Sequence, residues 1–276
     1  MDVWIGTSGY SYPDWVGGFY PPGTRPREML AFYCREFPLV ELNFTFYRPP
    51  TADMLRRLAD NAPADFQFLV KLPRTLSHEQ RTDDLAGSRD AAEALHRRGQ
   101  LKGLLCQLPQ STHNDRTNRR WLEDLAGGLS EFRMAVEFRH RSWWNDETPD
   151  WMAAHRLDLV AVDVPDLKGL FPRGWVQSGP RAYVRLHSRN AAKWYAADKE
   201  RYDYAYSEGE LNEWAEALGA ARERTEEVLF LFNNCYRGQA VTNARRMHEL
   251  IADALPDAHV IPPPPGRPPE QRSLFD

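Results

Sequence analysis

Eight short apolar runs constrain the fold of this chain more than any other feature. They lie near residues 3–6, 39–44, 66–71, 103–107, 134–138, 158–163, 182–187 and 228–233. They are rich in Val, Leu and Phe and have the length of strands buried on both faces. Stretches with helical apolar spacing separate them: Leu30, Tyr33, Cys34 and Phe37; Trp121, Leu122, Leu125 and Leu129; Leu211, Trp214, Ala215 and Leu218. Each would turn one stripe toward a core. Thr51 and Asp53 stand where N-capping groups are favoured, and residues 239–255 supply the last amphipathic stretch. Repeated strand–helix alternation predicts a (β/α)8 barrel of the TIM type. Segment 164–180, VPDLKGLFPRGWVQSGP, is too rich in Pro and Gly for a full helix, so the sixth helix is expected to be short or missing. An open doubly wound sheet is the alternative, but no GxGxxG follows the first run.

The expected domain is residues 1–258, followed by a Pro-rich tail, 259–276. Residues 262–269 hold six prolines, a polyproline-type spacer rather than a packed element. Fully extended at about 3.1 Å per residue it spans roughly 25 Å. The three cysteines are far apart with no CxxC spacing, which suggests neither a disulfide framework nor a zinc site and fits a cytoplasmic protein. No basic, apolar start resembles a secretory signal and no long apolar run suggests a membrane span. The formal net charge of −4 provides no global basic field, so nucleic-acid binding would need a local patch.

In a barrel of this type the active site lies at the carboxyl ends of the strands. Polar residues gather at those ends: Ser8, Glu41, Asn43, Lys71, Gln107, Glu137, Arg139, Asp163, Arg185, His187, Asn233 and Asn234. The starts of the strands (Val3, Leu39, Phe66, Gly103, Met134, Val228) read as largely apolar. Glu41 and Asn43, Glu137 and Arg139, and Arg185 and His187 are each two apart, so each pair shares a face. Acids and bases from separate segments are thus expected to converge on one mouth, although such a set can also be a self-satisfied ion layer. Mixed charge suits an anionic substrate handled by acid–base chemistry. Arg185 is the expected anion anchor; Glu137 or Glu41 the general base, Lys71 or His187 the proton donor. A divalent metal is conceivable, but cations that close to it would repel it, so no cofactor is expected. The stretch NNCYRG, 233–238, leads into the last helix, where backbone amides could hold a phosphate. Tyr12, Trp15, Tyr47 and Trp143 follow the strand ends and could stack on a substrate's rings.

Five ordered motifs carry a resemblance: GTSGYSYPDWVGGFYP (6–21), VELNFTFYRPP (40–50), VEFRHRSW (136–143), YVRLHSRN (183–190) and FNNCYRG (232–238). Together they resemble the YecE-like family, also called domain of unknown function 72. The resemblance implies a (β/α)8 barrel and supplies no reaction. The terminal QRSLF, 271–275, resembles the short motif by which bacterial replication and repair proteins bind the DNA sliding clamp, with Arg272 departing from the usual leucine. There Leu274 and Phe275 would fill a pocket and Gln271 would set register. Three functions follow: an enzyme on a phosphate-bearing, nucleic-acid-related substrate delivered to the clamp; a hydrolase, lyase or isomerase for a small anionic metabolite; or a non-catalytic module binding nucleic acid or protein. A closed, small pocket would favour the second.

Overall fold

The computed structural model describes residues 1–196 and 198–265; Gln271, Leu274 and Phe275 lie outside the described residues. The eight expected strands all form: β1 Asp2–Ser8, β2 Leu39–Leu42, β3 Gln67–Lys71, β4 Leu101–Gln107, β5 Met134–Glu137, β6 Leu157–Asp163, β7 Arg181–Leu186 and β8 Glu227–Phe232. Each pairs in parallel with the next, and β1 pairs with both β8 and β2, which closes the barrel. Every residue of β6 and β7 is buried. That explains why these strands read as near-continuous apolar runs rather than as alternating ones.

The helices are α1 Pro26–Tyr33, α2 Phe44–Tyr47, α3 Ala52–Asp60, α4 Arg74–Ser77, α5 Leu85–His96, α6 Arg116–Gly128, α7 Glu147–Ala154, α8 Glu208–Ala221 and α9 Gln239–Ala254. Local chemistry sets several of their starts. Thr51 accepts from the Met54 amide at α3, and Asp115 from the Asn118 amide at α6. Ser207 and Glu210 form a reciprocal capping box at α8. Between β6 and β7 no helix forms, as expected. Segment 164–180 instead crosses the strand ends, burying Leu170 and Phe171. Bridges join His140 to Leu170 and Val162 to Gly174.

Two features depart from the sequence reading. The chain stays on the barrel past residue 258. A ninth strand, β9 His259–Val260, pairs with Asp2 and Val3 of β1. It takes the lower part of β1, because β2 joins β1 only from Gly6 to Ser8. The His259 amide donates to Met1 O at 3.0 Å and the Ile261 amide to Val3 O at 2.9 Å. Nor is the amino-terminal end of the barrel apolar. Arg181 and Asp158 are buried there. Arg181 meets Glu227 at 3.3 Å and Asp158 at 3.6 Å, Arg133 meets Asp158 at 3.3 Å, and Lys102 pairs with Glu227. Gly103, at φ 157°, leaves room for this layer. A Cβ there would lie 3.0 Å from Arg133 O and 3.4 Å from the Arg181 guanidinium.

Ending the chain at Ala258 removes at least these two backbone hydrogen bonds. It should cost about 2 kcal/mol, read as a lower urea midpoint; an unchanged midpoint would show that β9 adds nothing to the barrel.

Candidate active site at the carboxyl ends of the strands

Strand alternation places Tyr183, Arg185 and His187 on one side of β7 and its exit. Arg185, 1% exposed, crosses the barrel interior. Its Nε and Nη2 donate to the two oxygens of Glu41 at 2.9 and 2.5 Å, and its Nη1 donates to Glu137. Tyr183 Oη adds a bond to Glu41 at 2.5 Å. Glu137 also meets Arg139, and His187 Nε2 lies 3.3 Å from it. Asn233 Nδ2 sits 2.9 Å from His187 Nδ1, and Arg139 Nη2, which can only donate, lies 3.1 Å from His187 Nε2. Burial alone would raise the Glu137 pKa, but Arg139 and Arg185 overcome it and hold the carboxyl well below its usual range. Burial, with Arg139 adding to it, pushes His187 well below the ordinary imidazole value, so the ring is neutral.

Lys71 stands apart from this knot. Its Nζ donates to Gln107 Oε1 at 3.0 Å and lies 4.3 Å from the centre of the Phe46 ring. Among the described residues no carboxylate lies within 4.0 Å of it. Burial, then Arg185, lower its pKa from 10.5 to about 7. The amine faces a cavity of about 200 Å³, lined also by Tyr12, Asp14, Asn43, Tyr47, Tyr202, Asn233, Cys235 and Tyr236.

The residues singled out from the sequence therefore divide. Glu41, Glu137, Arg139, Arg185 and His187 form one buried cluster, with Ser8 Oγ 3.5 Å from Arg185. Tyr12, Asn43, Tyr47, Lys71 and Asn233 line the cavity beside it. Four residues belong to neither group. Asp163 accepts from Trp214 Nε1 at 2.6 Å and from Arg189, which ties β6 to α8. Trp15 donates to Cys235 O at 2.7 Å beneath the first loop. Trp143 stacks on Phe138 at 4.0 Å and donates to Thr112 O. Asn234 holds Tyr204 O and Asn243, both at 2.8 Å.

Arg185, expected to hold an anion, has its guanidinium shared between two carboxylates. The turn before α9, expected to hold a phosphate, already has a carboxylate: the Arg237 amide donates to Asp14 at 2.8 Å. The sequence reading passed over Tyr183, although its position two before Arg185 signals the shared face. It also passed over the side chains of Asp14, Cys235 and Tyr236, which meet only when the loops close over the mouth. All three cysteines are free and buried. Among the described residues no group of three or more His, Cys, Asp and Glu side chains is placed to hold a metal. No helix among them is long and apolar enough to cross a membrane.

A closed eight-stranded parallel barrel with a cavity at the carboxyl ends is a TIM-barrel architecture. The chain belongs to the family described as "Protein of unknown function DUF72", whose model matches residues 4–269. It is 28% identical over 270 residues to the UPF0759 protein YunF of Bacillus subtilis, across 90% of this chain and 94% of that one. It is 31% identical over 147 residues to the UPF0759 protein YecE of Escherichia coli, across 50% of this chain and 48% of that one. Among solved structures, a DUF72 family protein from Thermotoga maritima matches with a TM-score of 0.84 and 37% identity, over 91% of this chain and 99% of that one. Another from Enterococcus faecalis matches at 0.78 and 24%, over 90% and 95%.

Removing one side of a buried ion pair leaves the other uncompensated. Arg185→Leu should therefore destabilise the fold by about 3–5 kcal/mol, read by urea denaturation; a loss under about 1 kcal/mol would mean that Glu41 and Glu137 are not held as charges. Lys71 gives the opposite pH signature. Its folded pKa lies below its unfolded one, so the unfolded chain binds more protons between them and stability rises with pH there. From about pH 7 to about pH 9 the wild type should gain about 1–2 kcal/mol, allowing for screening by the cavity solvent, and Lys71→Met should not.

Proposed function

We propose that this barrel is an enzyme that moves a proton on a small-molecule substrate, as lyases and isomerases do, with Lys71 as the acid–base group. One observation carries the reading. In the cavity wall stands an amine with no carboxylate within 4.0 Å among the described residues, while Glu137 is held by Arg139 and Arg185. A carboxylate gripped by guanidinium groups is a weak proton acceptor. A desolvated amine beside a cation is a good one near neutral pH, because base strength and availability balance when the pKa is close to the working pH.

The roles then follow from position. Neutral Lys71 takes a proton from the substrate and, as the ammonium ion, returns it to another atom. Gln107, accepting one N–H, fixes the direction of the lone pair. Arg185 acts as a positioning residue, since it braces the cluster and its charge adds to burial in lowering the amine's pKa. Neutral His187, hydrogen-bonded to Asn233 at the cavity wall, is the second group able to shuttle a proton. A cavity of about 200 Å³ lies below the roughly 300–1,000 Å³ usual for drug-sized ligands. Its size supports a small metabolite over a polynucleotide.

The reading has a direct test. Small hydroxy and carbonyl compounds are incubated with the protein in heavy water, and C–H exchange is followed by NMR. Exchange should depend on the protein, rise with pH through about 7, and fall by about 10²–10⁴-fold in Lys71→Met. Trace acetylation with acetic anhydride across pH, mapped by mass spectrometry over the five lysines, should show Lys71 titrating near 7. An ordinary lysine titration, or exchange undiminished in Lys71→Met, would sink the assignment.

A further inference from the structure

Arg139 is 9% exposed. Its Nη2 is spent on Glu137 and on His187 Nε2, 3.1 Å away. Its Nε and Nη1 are buried and have no acceptor. Unpaired guanidinium donors in a desolvated place are costly, and oxygens supplied by a ligand would relieve that cost. A second guanidinium stands nearby: Arg139 and Arg201 both face the ring of Trp194, at 5.3 and 4.9 Å. Arg201 adjoins Tyr202, which lines the cavity. Glu41, Glu137 and the cavity-lining Asp14 balance Arg139, Arg185 and Arg201, so Lys71 leaves the set one positive charge in excess once protonated. Across the cavity Asn43 Oδ1 is a buried acceptor with no donor.

We propose that the cavity takes a small organic oxyanion bearing a hydroxyl group, its negative end on Arg139 and Arg201 and its hydroxyl donated to Asn43 Oδ1. This substrate class rests on Lys71 being the reacting group, but its binding can be measured separately. A carboxylate and a phosphate ester both present the oxygens that a guanidinium fork accepts. At about 200 Å³ the space suits a compound of a few carbons.

The full chain is titrated calorimetrically with inorganic phosphate, glycerol phosphate and glycerate. At least one of the two hydroxylated anions should bind, and more tightly than inorganic phosphate; which of them does so tells phosphate ester from carboxylate. Arg201→Gln, at a half-buried position outside the buried ion cluster, should weaken that binding about tenfold or more. Asn43→Leu should erase the advantage of the hydroxylated anion. Failure of all three anions to bind, or equal binding by Arg201→Gln and Arg139→Lys, overturns the subsite. Binding that follows this pattern while Lys71 titrates as an ordinary lysine keeps the subsite and removes the amine chemistry; a Lys71 titrating near neutrality with no anion bound does the reverse.

Discussion

The Arg185 guanidinium, shared by Glu41 and Glu137 inside the barrel, is the interaction on which the other features of the site depend. It reaches from β7 to residues of β2 and β5, strands that are not its neighbours in the sheet. A lysine could not do this, because only a planar fork offers two edges to two carboxylates at once. The pairing also separates the chemistry of the mouth. It uses up the negative groups and leaves the amine of Lys71 facing a positive neighbour rather than an acid. The ion that braces the upper barrel therefore also lowers the amine's pKa, second to the amine's own burial.

The barrel was legible in the sequence because parallel strands buried on both faces must be apolar over several residues. The missing sixth helix was legible because Pro and Gly remove the donors and restraints that a helix needs. Strand β9 was not, since two residues carry no periodicity. The charged layer at the amino-terminal end escaped notice for a related reason. Asp158, Arg181 and Glu227 lie on consecutive strands in space but far apart in the chain, and reading each strand by its apolar start hid them.

For the site, strand parity was informative and residue type was not. Spacing by two correctly put Glu137 with Arg139 and Arg185 with His187, and extended to Tyr183 it would have found the second donor to Glu41. Asp163 has the same chemistry as the clustered acids, yet faces Trp214 and Arg189 on the helix side of β6. No count of acids and bases could assign partners, and pairing decides which groups are left to react. The cavity-lining Asp14, Tyr202, Cys235 and Tyr236 come from loops whose meeting is set by barrel closure.

The two charged layers of this barrel show how a structural ion network differs from a candidate site. At the amino-terminal end Lys102, Arg133 and Arg181 pair with Asp158 and Glu227, and the layer acts as a plug. At the carboxyl end the pairing is incomplete in a directed way: one amine, two guanidinium N–H groups and one amide oxygen remain at or beside a single small hollow. A buried donor without an acceptor weakens a fold by about 1–3 kcal/mol, a large share of a typical folding free energy of about 5–15 kcal/mol. Several such groups in one place lower stability without any gain in packing. A ligand that supplied oxygens to the guanidinium groups and a hydroxyl to the amide would turn the same deficit into binding, and on that complementarity rests the proposal that the carboxyl end is the functional face.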